Sequence, residues 1–180
     1  MRGAREGPDS RPVGNWPGNE SITEIGCTLH RTYGVPVIPG SSVKGVLRAA
    51  MEQTGTAEKA WRERADFLFG SAGSQGFATV HDGWWVPESG RSGLALDVIT
   101  GHHSDYYTGG DPVRAPTDFD SPVPNHFLTV TGQFFFLIEA PNESWREFLD
   151  KLVRETLTER GVGAKRSAGY GRFEQWAGVE

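Results

Sequence analysis

One stretch in the C-terminal third of the chain decides the fold class. Residues 126–140 read HFLTVTGQFFFLIEA, and residues 144–157 read SWREFLDKLVRETL. The first stretch predicts a central strand that is covered on at least one face, with Gly132 as a candidate bulge. The second begins with a Ser144–Glu147 capping box and repeats apolar residues at the spacing of one helix face. A strand followed directly by an amphipathic helix predicts a domain that mixes the two kinds of element.

Working outward from this stretch, the hydrophobic spacing indicates two further helices and several short strands. The order of these elements predicts an α+β fold, with helices on one face of a mainly antiparallel sheet. The turn of the predicted hairpin falls at Asp82-Gly83. The elements are a strand or extended segment over residues 21–30, helices over 41–55 and 57–69, a strand or hairpin over 77–86, and strands over 94–100 and 172–177.

Composition places this chain among single-domain intracellular proteins. It has 180 residues, 37% of them hydrophobic, and a net charge of −5. The single Cys27 excludes an internal disulfide and a multi-cysteine zinc site. The N-terminus lacks the apolar core of a secretory signal, and the longest apolar run, residues 134–138, is too short for a bilayer. We therefore expect a cytoplasmic protein without a membrane segment, in which any phosphate binding depends on local basic clusters.

Two segments lie outside the predicted elements. Residues 1–19 contain four glycines and three prolines, which predicts a flexible arm or an incomplete first strand. Residues 101–125 are dominated by Gly, Asp, Tyr and Thr. A loop of this length inside a compact domain is usually functional or disordered. We expect residues 20–180 to form one domain in which 101–125 is an inserted loop.

The first candidate binding segment reads IPGSSVKGVLR over residues 38–48. Its first glycine lets the backbone approach a ligand, Ser41 and Ser42 offer hydroxyls, and a helix start presents N–H groups that favour anions. Lys44 and Arg48 lie four apart near the helix N-terminus, where two like charges are unfavourable without an anion. This pattern predicts a phosphate site. A capped amphipathic helix with two solvated cations explains it equally well.

The second candidate segment reads GVGAKRSAGYGRF over residues 161–173. It carries three cations and no acid, its glycines expose backbone N–H groups, and its tyrosine can stack on a base. The pattern favours a loop that binds a polyanion, and a glycine-rich turn between a helix and a strand is the alternative. The candidate binding residues of this segment are Gly163, Lys165, Arg166, Gly169, Tyr170, Gly171 and Arg172.

With IPGSSxKG early in the chain and a glycine-rich, lysine-bearing loop that ends in GYG, the sequence resembles the RAMP superfamily of CRISPR RNA-binding proteins. In particular it resembles the sixth RAMP subunit of Cmr-type (type III-B) effector complexes. Further matching residues extend the resemblance over about residues 21–176. They are Leu29-His30-Arg31, Tyr33-Gly34-Val35-Pro36, Phe69-Gly70, Gln75-Gly76, Asp97-Val98-Ile99-Thr100, His102, Tyr106-Tyr107, Pro116-Thr117-Asp118, Ser121-Pro122 and Val123-Pro124.

The resemblance implies a modified ferredoxin-like (RRM-like) domain and a non-catalytic backbone subunit that binds guide RNA near its 3′ part. The implied partners are the guide (CRISPR) RNA, its duplex with target RNA, and other Cmr-type backbone and capping subunits. Residues 101–125 are then a thumb-like insertion that contacts this duplex or a neighbouring subunit. No cofactor or metal is expected. The implied phosphate contacts are Lys44, Arg48, Lys165, Arg166 and Arg172, with hydrogen bonds from Ser41, Ser42 and the glycine-loop N–H groups, and stacking by Tyr170.

The resemblance also has a departure at the N-terminus. Relatives have an apolar strand before the segment that matches residues 19–30, and residues 1–18 contain no convincing equivalent. This predicts a short first strand or a true start upstream of Met1.

Two other functions stay open at the level of the sequence. A RAMP endoribonuclease needs a general base or a metal to activate a hydroxyl or water. Two adjacent histidines without a third nearby argue against a metal site. A structural adaptor, whose basic loops contact acidic proteins, would bind no RNA. The residues considered for cleavage are His30, His81, His102, His103, Asp105, Asp111, Asp118 and Asp120.

Overall fold

The structure is a computed structural model, and it describes residues 2–4, 27–53, 58–87, 92–101 and 122–177. Three α-helices lie in these ranges: α1 (Gly40–Glu52), α2 (Glu58–Phe69) and α3 (Glu143–Glu159). The strands are β1 (Arg2–Ala4), β2 (Val37–Ile38), β3 (Thr79–Val80), β4 (Gly83–Val86), β5 (Leu94–Gly101), β6 (Val123–Val130), β7 (Gln133–Phe135), β8 (Ile138–Glu139) and β9 (Gln175–Ala177).

The described strands form three antiparallel sheets. The largest has five strands in the order β2-β4-β7-β1-β9, so the short strand β1 lies between β7 and β9. Strand β3 pairs with β8, and β5 pairs with β6 over eight residues each. The mixture of antiparallel sheets and helices agrees with the fold class expected from the sequence.

The hydrophobic core lies between the five-stranded sheet and the helices. The apolar stripes of α1, α2 and α3 meet there, as their three- and four-residue spacing predicts. Phe173 packs edge-on against both Phe134 and Phe136, with ring centroids 6.0 Å and 5.3 Å apart. The fully buried residues of this core include Val43, Leu47, Leu68, Phe134, Phe136, Leu149, Val153, Leu157 and Phe173.

The hairpin predicted over residues 77–86 is wrong. Strands β3 and β4 belong to different sheets, and Asp82 lies where the chain crosses from one to the other. A Cβ on Gly83 would lie 2.6 Å from the Phe136 ring, so the glycine lets β4 pack directly on the core. Asp82 is not a hairpin turn residue. Its carboxylate accepts a hydrogen bond from the backbone N–H of Gly40.

The single strand predicted over residues 126–140 is three strands: β6, β7 and β8. The chain leaves the β5–β6 pair at Gly132 and then enters the five-stranded sheet as β7. Gly132 has a φ of +105°, a conformation that glycine adopts readily and other residues rarely adopt. Gly132 is therefore a point of transfer between sheets. A strand-like composition cannot show such a transfer, because it depends on partners that are distant in the sequence.

The helix caps also differ from those predicted. Helix α1 begins at Gly40, and its N-cap is Pro39, which makes no side-chain hydrogen bond, so neither Ser41 nor Ser42 is the N-cap. In α3 the cap is Asn142, whose side chain accepts a hydrogen bond of 3.0 Å from the backbone N–H of Trp145, in place of the predicted Ser144–Glu147 box. Asn is as good an N-cap as Ser, and here it lies at the position where the chain is still extended.

The inserted loop predicted over residues 101–125 begins and ends in a β-ribbon. Gly101 pairs with Val123 at the far end of β5–β6, so residues 123–125 are strand rather than loop. Residues 102–121 lie outside the described ranges, as do residues 5–19 of the predicted arm.

Candidate functional site

Helix α1 presents three different faces, because successive residues of an α-helix are rotated by about 100°. One face is buried and carries Val43, Leu47 and Met51. A second face is a stripe of small and apolar residues, and a third carries the two cations. The second face consists of Ser42, Gly45, Val46 and Ala49, and the third of Lys44 and Arg48.

The two basic segments meet at the second face of α1. They enclose a groove of about 360 Å³, which we call the first groove. Ser42 therefore lies near Arg166, although more than a hundred residues separate them in the chain. The sequence predicted both segments, and the structure brings their central parts together. The first groove is lined by Ser42, Gly45, Val46 and Ala49 of α1, and by Val162, Gly163, Ala164 and Arg166 of the glycine loop.

The base of the glycine loop is closed by backbone contact. The N–H of Val162 donates a hydrogen bond of 2.9 Å to the carbonyl oxygen of Gly171. Gly171 has a φ of +73°, and a Cβ there would lie 1.9 Å from the carbonyl oxygen of Val162. Gly171, predicted as an RNA contact, thus has a structural reason to be glycine.

Lys165 and Tyr170 face the β5–β6 ribbon instead of the first groove. The ammonium group of Lys165 lies 5.0 Å from the centroid of the Phe127 ring, a cation–π contact. Lys165 also has a φ of +54°, a left-handed conformation that costs a non-glycine residue about 1–3 kcal/mol. The hydroxyl of Tyr170 donates a hydrogen bond of 2.7 Å to Asp97 on β5. These contacts hold the glycine loop against the ribbon and leave Arg166 as its cation in the first groove.

Lys44 and Arg48 line a second groove of about 450 Å³ on the other side of α1. Its far wall is the loop of residues 69–76, which contains Ser71, Ser74 and Gln75. The two grooves therefore flank the same helix.

The charge of Arg48 is already balanced within the fold. Its guanidinium donates to Glu52 at 2.8 Å and also contacts Asp66 and the carbonyl oxygen of Gly70. The hydrogen bond to Asp66 raises the pKa of Arg48. Lys44 has no ion-pair partner among the described residues. The sequence argument, that Lys44 and Arg48 repel each other unless an anion binds, is therefore wrong for Arg48. In the described part of the chain, Lys44 is the free cation of the second groove.

The N-terminus of α1 is not open to an external anion at its first N–H. The N–H of Gly40 donates a hydrogen bond of 2.7 Å to Asp82, and the N–H groups of Ser42 and Val43 lie 2.9 Å and 3.2 Å from the carbonyl oxygen of Pro39. The chain itself thus supplies the negative charge that the helix dipole favours. A polyanion at this helix would therefore contact side chains of α1 and not the N–H of Gly40.

The remaining candidates are dispersed. Arg172 is exposed near the end of the glycine loop, without an ion-pair partner in the described ranges, and Ser41 is exposed in the first turn of α1. His81 lies 2.6 Å from Glu139, and the inserted-loop candidates for RNA cleavage lie outside the described ranges. Within those ranges, no group of three His, Cys, Asp or Glu residues could hold a metal ion. No helix there is long and apolar enough to cross a membrane.

Sequence reasoning missed several residues of this site. It did not identify Asp82 as the partner of the helix start, or Asp66 as the partner of Arg48. It also missed the stripe of Ser42, Gly45 and Ala49. Their three- and four-residue spacing was the one signal present in the sequence that could have revealed a face of α1 open to a ligand.

Comparison with known proteins supports the resemblance stated from the sequence. Residues 16–174 match the RAMP superfamily. The CRISPR system Cmr subunit Cmr6 of Pyrococcus furiosus is 28% identical, over 88% of this chain and 64% of that protein. The chain spans less than two thirds of the length of the curated relatives that it matches.

Two solved structures have the same fold. The crystal structure of Cmr6 from Pyrococcus furiosus superposes with a TM-score of 0.56 at 26% identity, over 98% of this chain and 97% of that one. A chain in the cryo-EM structure of the Type III-B Cmr-beta complex bound to cognate target RNA superposes with a TM-score of 0.72 at 24% identity, over 96% of this chain and 56% of that one. Their agreement with the sequence match confirms the resemblance. The chain belongs to the RAMP superfamily.

Proposed function

We propose that the chain is a non-catalytic, guide-RNA-binding backbone subunit of a type III CRISPR ribonucleoprotein that acts in antiviral defence. The observation that carries this proposal is the first groove, which is lined both by Arg166 of the glycine loop and by Ser42 of α1. The similarity to Cmr6 and to a chain of an RNA-bound Cmr-beta complex supports the same function. Binding near the 3′ part of the guide follows from the same resemblance.

The two grooves give the RNA backbone a path across α1. Arg166 lines the first groove and Lys44 lines the second, on two sides of the same helix. In this proposal one strand crosses α1 between the grooves and its phosphates contact both residues. Ser41, Ser42 and the N–H group of Gly163 donate hydrogen bonds to phosphate oxygens. The N–H of Gly169, which the sequence suggested as a further donor, already donates a hydrogen bond of 3.0 Å to the carbonyl oxygen of Arg166.

The other basic residues have supporting roles. Arg172 extends the positive surface beyond the glycine loop, and Lys165 contributes charge while its contact with Phe127 holds the loop in place. Arg48 has an indirect role. Its contacts with Gly70 and Asp66 hold the wall of the second groove in place beside Lys44. Tyr170 is held by Asp97 and sets the position of Gly169 and Gly171.

The same resemblance supports the larger architecture. We assign residues 20–180 to one RAMP domain of modified ferredoxin-like type, with 101–125 as the insertion that reaches the guide–target duplex or a neighbouring subunit. The partners are the guide RNA, target RNA and other Cmr-type backbone and capping subunits. The complex acts in the cytoplasm.

The salt dependence of RNA binding tests this assignment. Each phosphate contact to a single strand contributes about 0.7 to the slope of log affinity against log salt concentration. Lys44→Gln and Arg166→Gln should each weaken binding of a single-stranded RNA and lower this slope by about 0.7. Lys59→Gln removes the same charge from an exposed position on α2, outside both grooves, and should leave the slope unchanged.

Three results would contradict the proposal. Equal slopes for all variants would show that neither groove holds phosphates. Absence of RNA binding, with retained binding to acidic proteins, would favour a structural adaptor. RNA cleavage by the pure chain would show that the subunit is an enzyme.

A further inference from the structure

A cluster of three aromatic rings lies apart from both grooves. The ring of Tyr33 stacks on His30 with centroids 4.8 Å apart and 20° between the planes, and the ring of Trp84 lies 4.8 Å from His30 at a tilt of 43°. Tyr33 is 71% exposed, so it forms the solvent-facing end of the cluster. We call Tyr33, His30 and Trp84 the aromatic platform.

The platform is held rigidly by its own turn. Backbone hydrogen bonds of 2.8 Å join the N–H of His30 to Val35 and the N–H of Gly34 to His30. The Nδ1 atom of His30 accepts from the N–H groups of Thr32 and Tyr33, at 3.2 Å and 3.3 Å. Nδ1 is thus the acceptor nitrogen and Nε2 carries the proton. Because the rings are held in position before a ligand binds, less conformational entropy is lost on binding.

The sheet directs the platform away from the core. Trp85 pairs with Phe134 and packs against the core, and adjacent residues of a strand point to opposite faces. Trp84 therefore lies on the face of the five-stranded sheet that α1, α2 and α3, the three described helices, do not cover. Aromatic rings on an open sheet face are a common way for proteins to stack the bases of single-stranded RNA.

A short segment of chain connects the platform to the start of α1. Pro36, which bridges Leu29 at the base of the turn, lies four residues before Gly40 at the start of α1. Four residues of extended chain span at most ~14 Å. Arg31 is exposed in the same turn and adds a cation beside the platform.

We propose that the aromatic platform binds one nucleobase of single-stranded RNA, which stacks on the open face of Tyr33. This inference rests on the proposed function, because it places the base of a strand whose phosphates cross α1. The stack then runs from the base through Tyr33 to His30, with Trp84 tilted against His30. Arg31 contacts the phosphate of the same nucleotide.

The test separates stacking from phosphate contact. Loss of a base–aromatic stack weakens binding by about tenfold and, unlike loss of a phosphate contact, leaves the salt slope unchanged. The probes are a single-stranded RNA and a series in which one base at a time is removed from an intact sugar–phosphate backbone. With the unmodified chain, removing the base that stacks should weaken binding about tenfold at one position of the series.

Tyr33→Ala should bind the intact RNA about tenfold more weakly, with an unchanged salt slope, and should lose the sensitivity to base removal at that position. Tyr33→Phe keeps the ring and should behave as the unmodified chain. Phe77→Ala is the matched control, because Phe77 is 63% exposed and stacks on Phe67 at 4.6 Å, outside the platform.

The outcomes distinguish this inference from the function on which it rests. Unchanged affinity of Tyr33→Ala, or a base-removal penalty that persists in it, would overturn the platform while the losses in Lys44→Gln and Arg166→Gln upheld RNA binding. A lowered salt slope in Tyr33→Ala would show a phosphate contact and also overturn it. Absence of RNA binding by the unmodified chain would overturn both proposals.

Discussion

Gly45→Ala should stabilise the protein and weaken RNA binding. Gly45 lies in the interior of α1, where glycine costs about 1 kcal/mol relative to alanine. A Cβ at Gly45 would have no atom within 4 Å, so the fold gives no steric reason for glycine there. The free energy of unfolding should rise by about 1 kcal/mol, which raises the Tm of a chain of this size by about 2–4 °C. The added methyl group enters the first groove, so affinity for RNA should fall by roughly tenfold, or about 1.4 kcal/mol.

Thermal unfolding and RNA titration of the same protein sample measure both effects. Ala49→Gly is the matched control, because Ala49 lines the same groove one turn further along α1. This control should lower the free energy of unfolding by about 1 kcal/mol without narrowing the groove. A Tm for Gly45→Ala that does not rise would refute the helix argument. A raised Tm with unchanged RNA affinity would show that RNA does not enter the first groove.

Three further predictions concern the parts that hold the site in place. Asp82→Ala should lower the free energy of unfolding by about 1 kcal/mol in urea titrations, because the first N–H of α1 loses its acceptor; Asp82→Asn, which keeps an acceptor oxygen, should lose less. Gly171→Ala should lower the free energy of unfolding by more than about 2 kcal/mol, since its Cβ meets the carbonyl of Val162. Gly34→Ala meets no atom and has only a positive φ, so it should lower the free energy of unfolding by about 1 kcal/mol. Equal losses in urea titrations would contradict the steric reasoning. Burial raises the pKa of the Cys27 thiol from 9.0 to about 11. At neutral pH Cys27 should therefore react with iodoacetamide roughly 100-fold more slowly in the folded chain than in denaturant, and its reaction should become faster as the pH rises towards 11.

Elements whose signals are local could be predicted from the sequence. The buried stripe of Val43, Leu47 and Met51 repeats with the helical period, and this period places α1 correctly apart from its ends. The β5 strand was predicted over residues 94–100 and lies at Leu94–Gly101. Local hydrophobic periodicity, together with glycine or serine residues at the ends of an element, is sufficient to predict such elements.

Elements whose bounds depend on distant partners could not be predicted. The run over residues 126–140 looks like one strand because it is rich in aromatic, aliphatic and β-branched residues, but β6 pairs with β5 and β7 with β4. The Asp82-Gly83 turn has the composition of a hairpin, yet its flanking strands pair elsewhere. Pairing across a sheet is set by packing of the whole domain, which a single stretch does not encode.

The candidate site was predictable in outline and not in detail. Glycine-framed basic segments identified both walls of the first groove. The sequence could not show which cations are free to bind a ligand. Arg48 forms an ion pair with Asp66 of another helix, and Lys165 forms a cation–π contact with the ring of Phe127. The aromatic platform was also missed, since Tyr33 and Trp84 are 51 residues apart in the sequence and the ring of His30 lies between them only in the folded chain.

The RNA and proteins that co-purify with this chain test the central claim most directly. The chain would be tagged in its native host and purified gently, and the bound RNA would be sequenced and the bound proteins identified. A guide-RNA-binding subunit should arrive with short RNAs that share a constant 5′ end, together with several other proteins. Clean protein without RNA would contradict the proposed function and leave the RAMP fold alone.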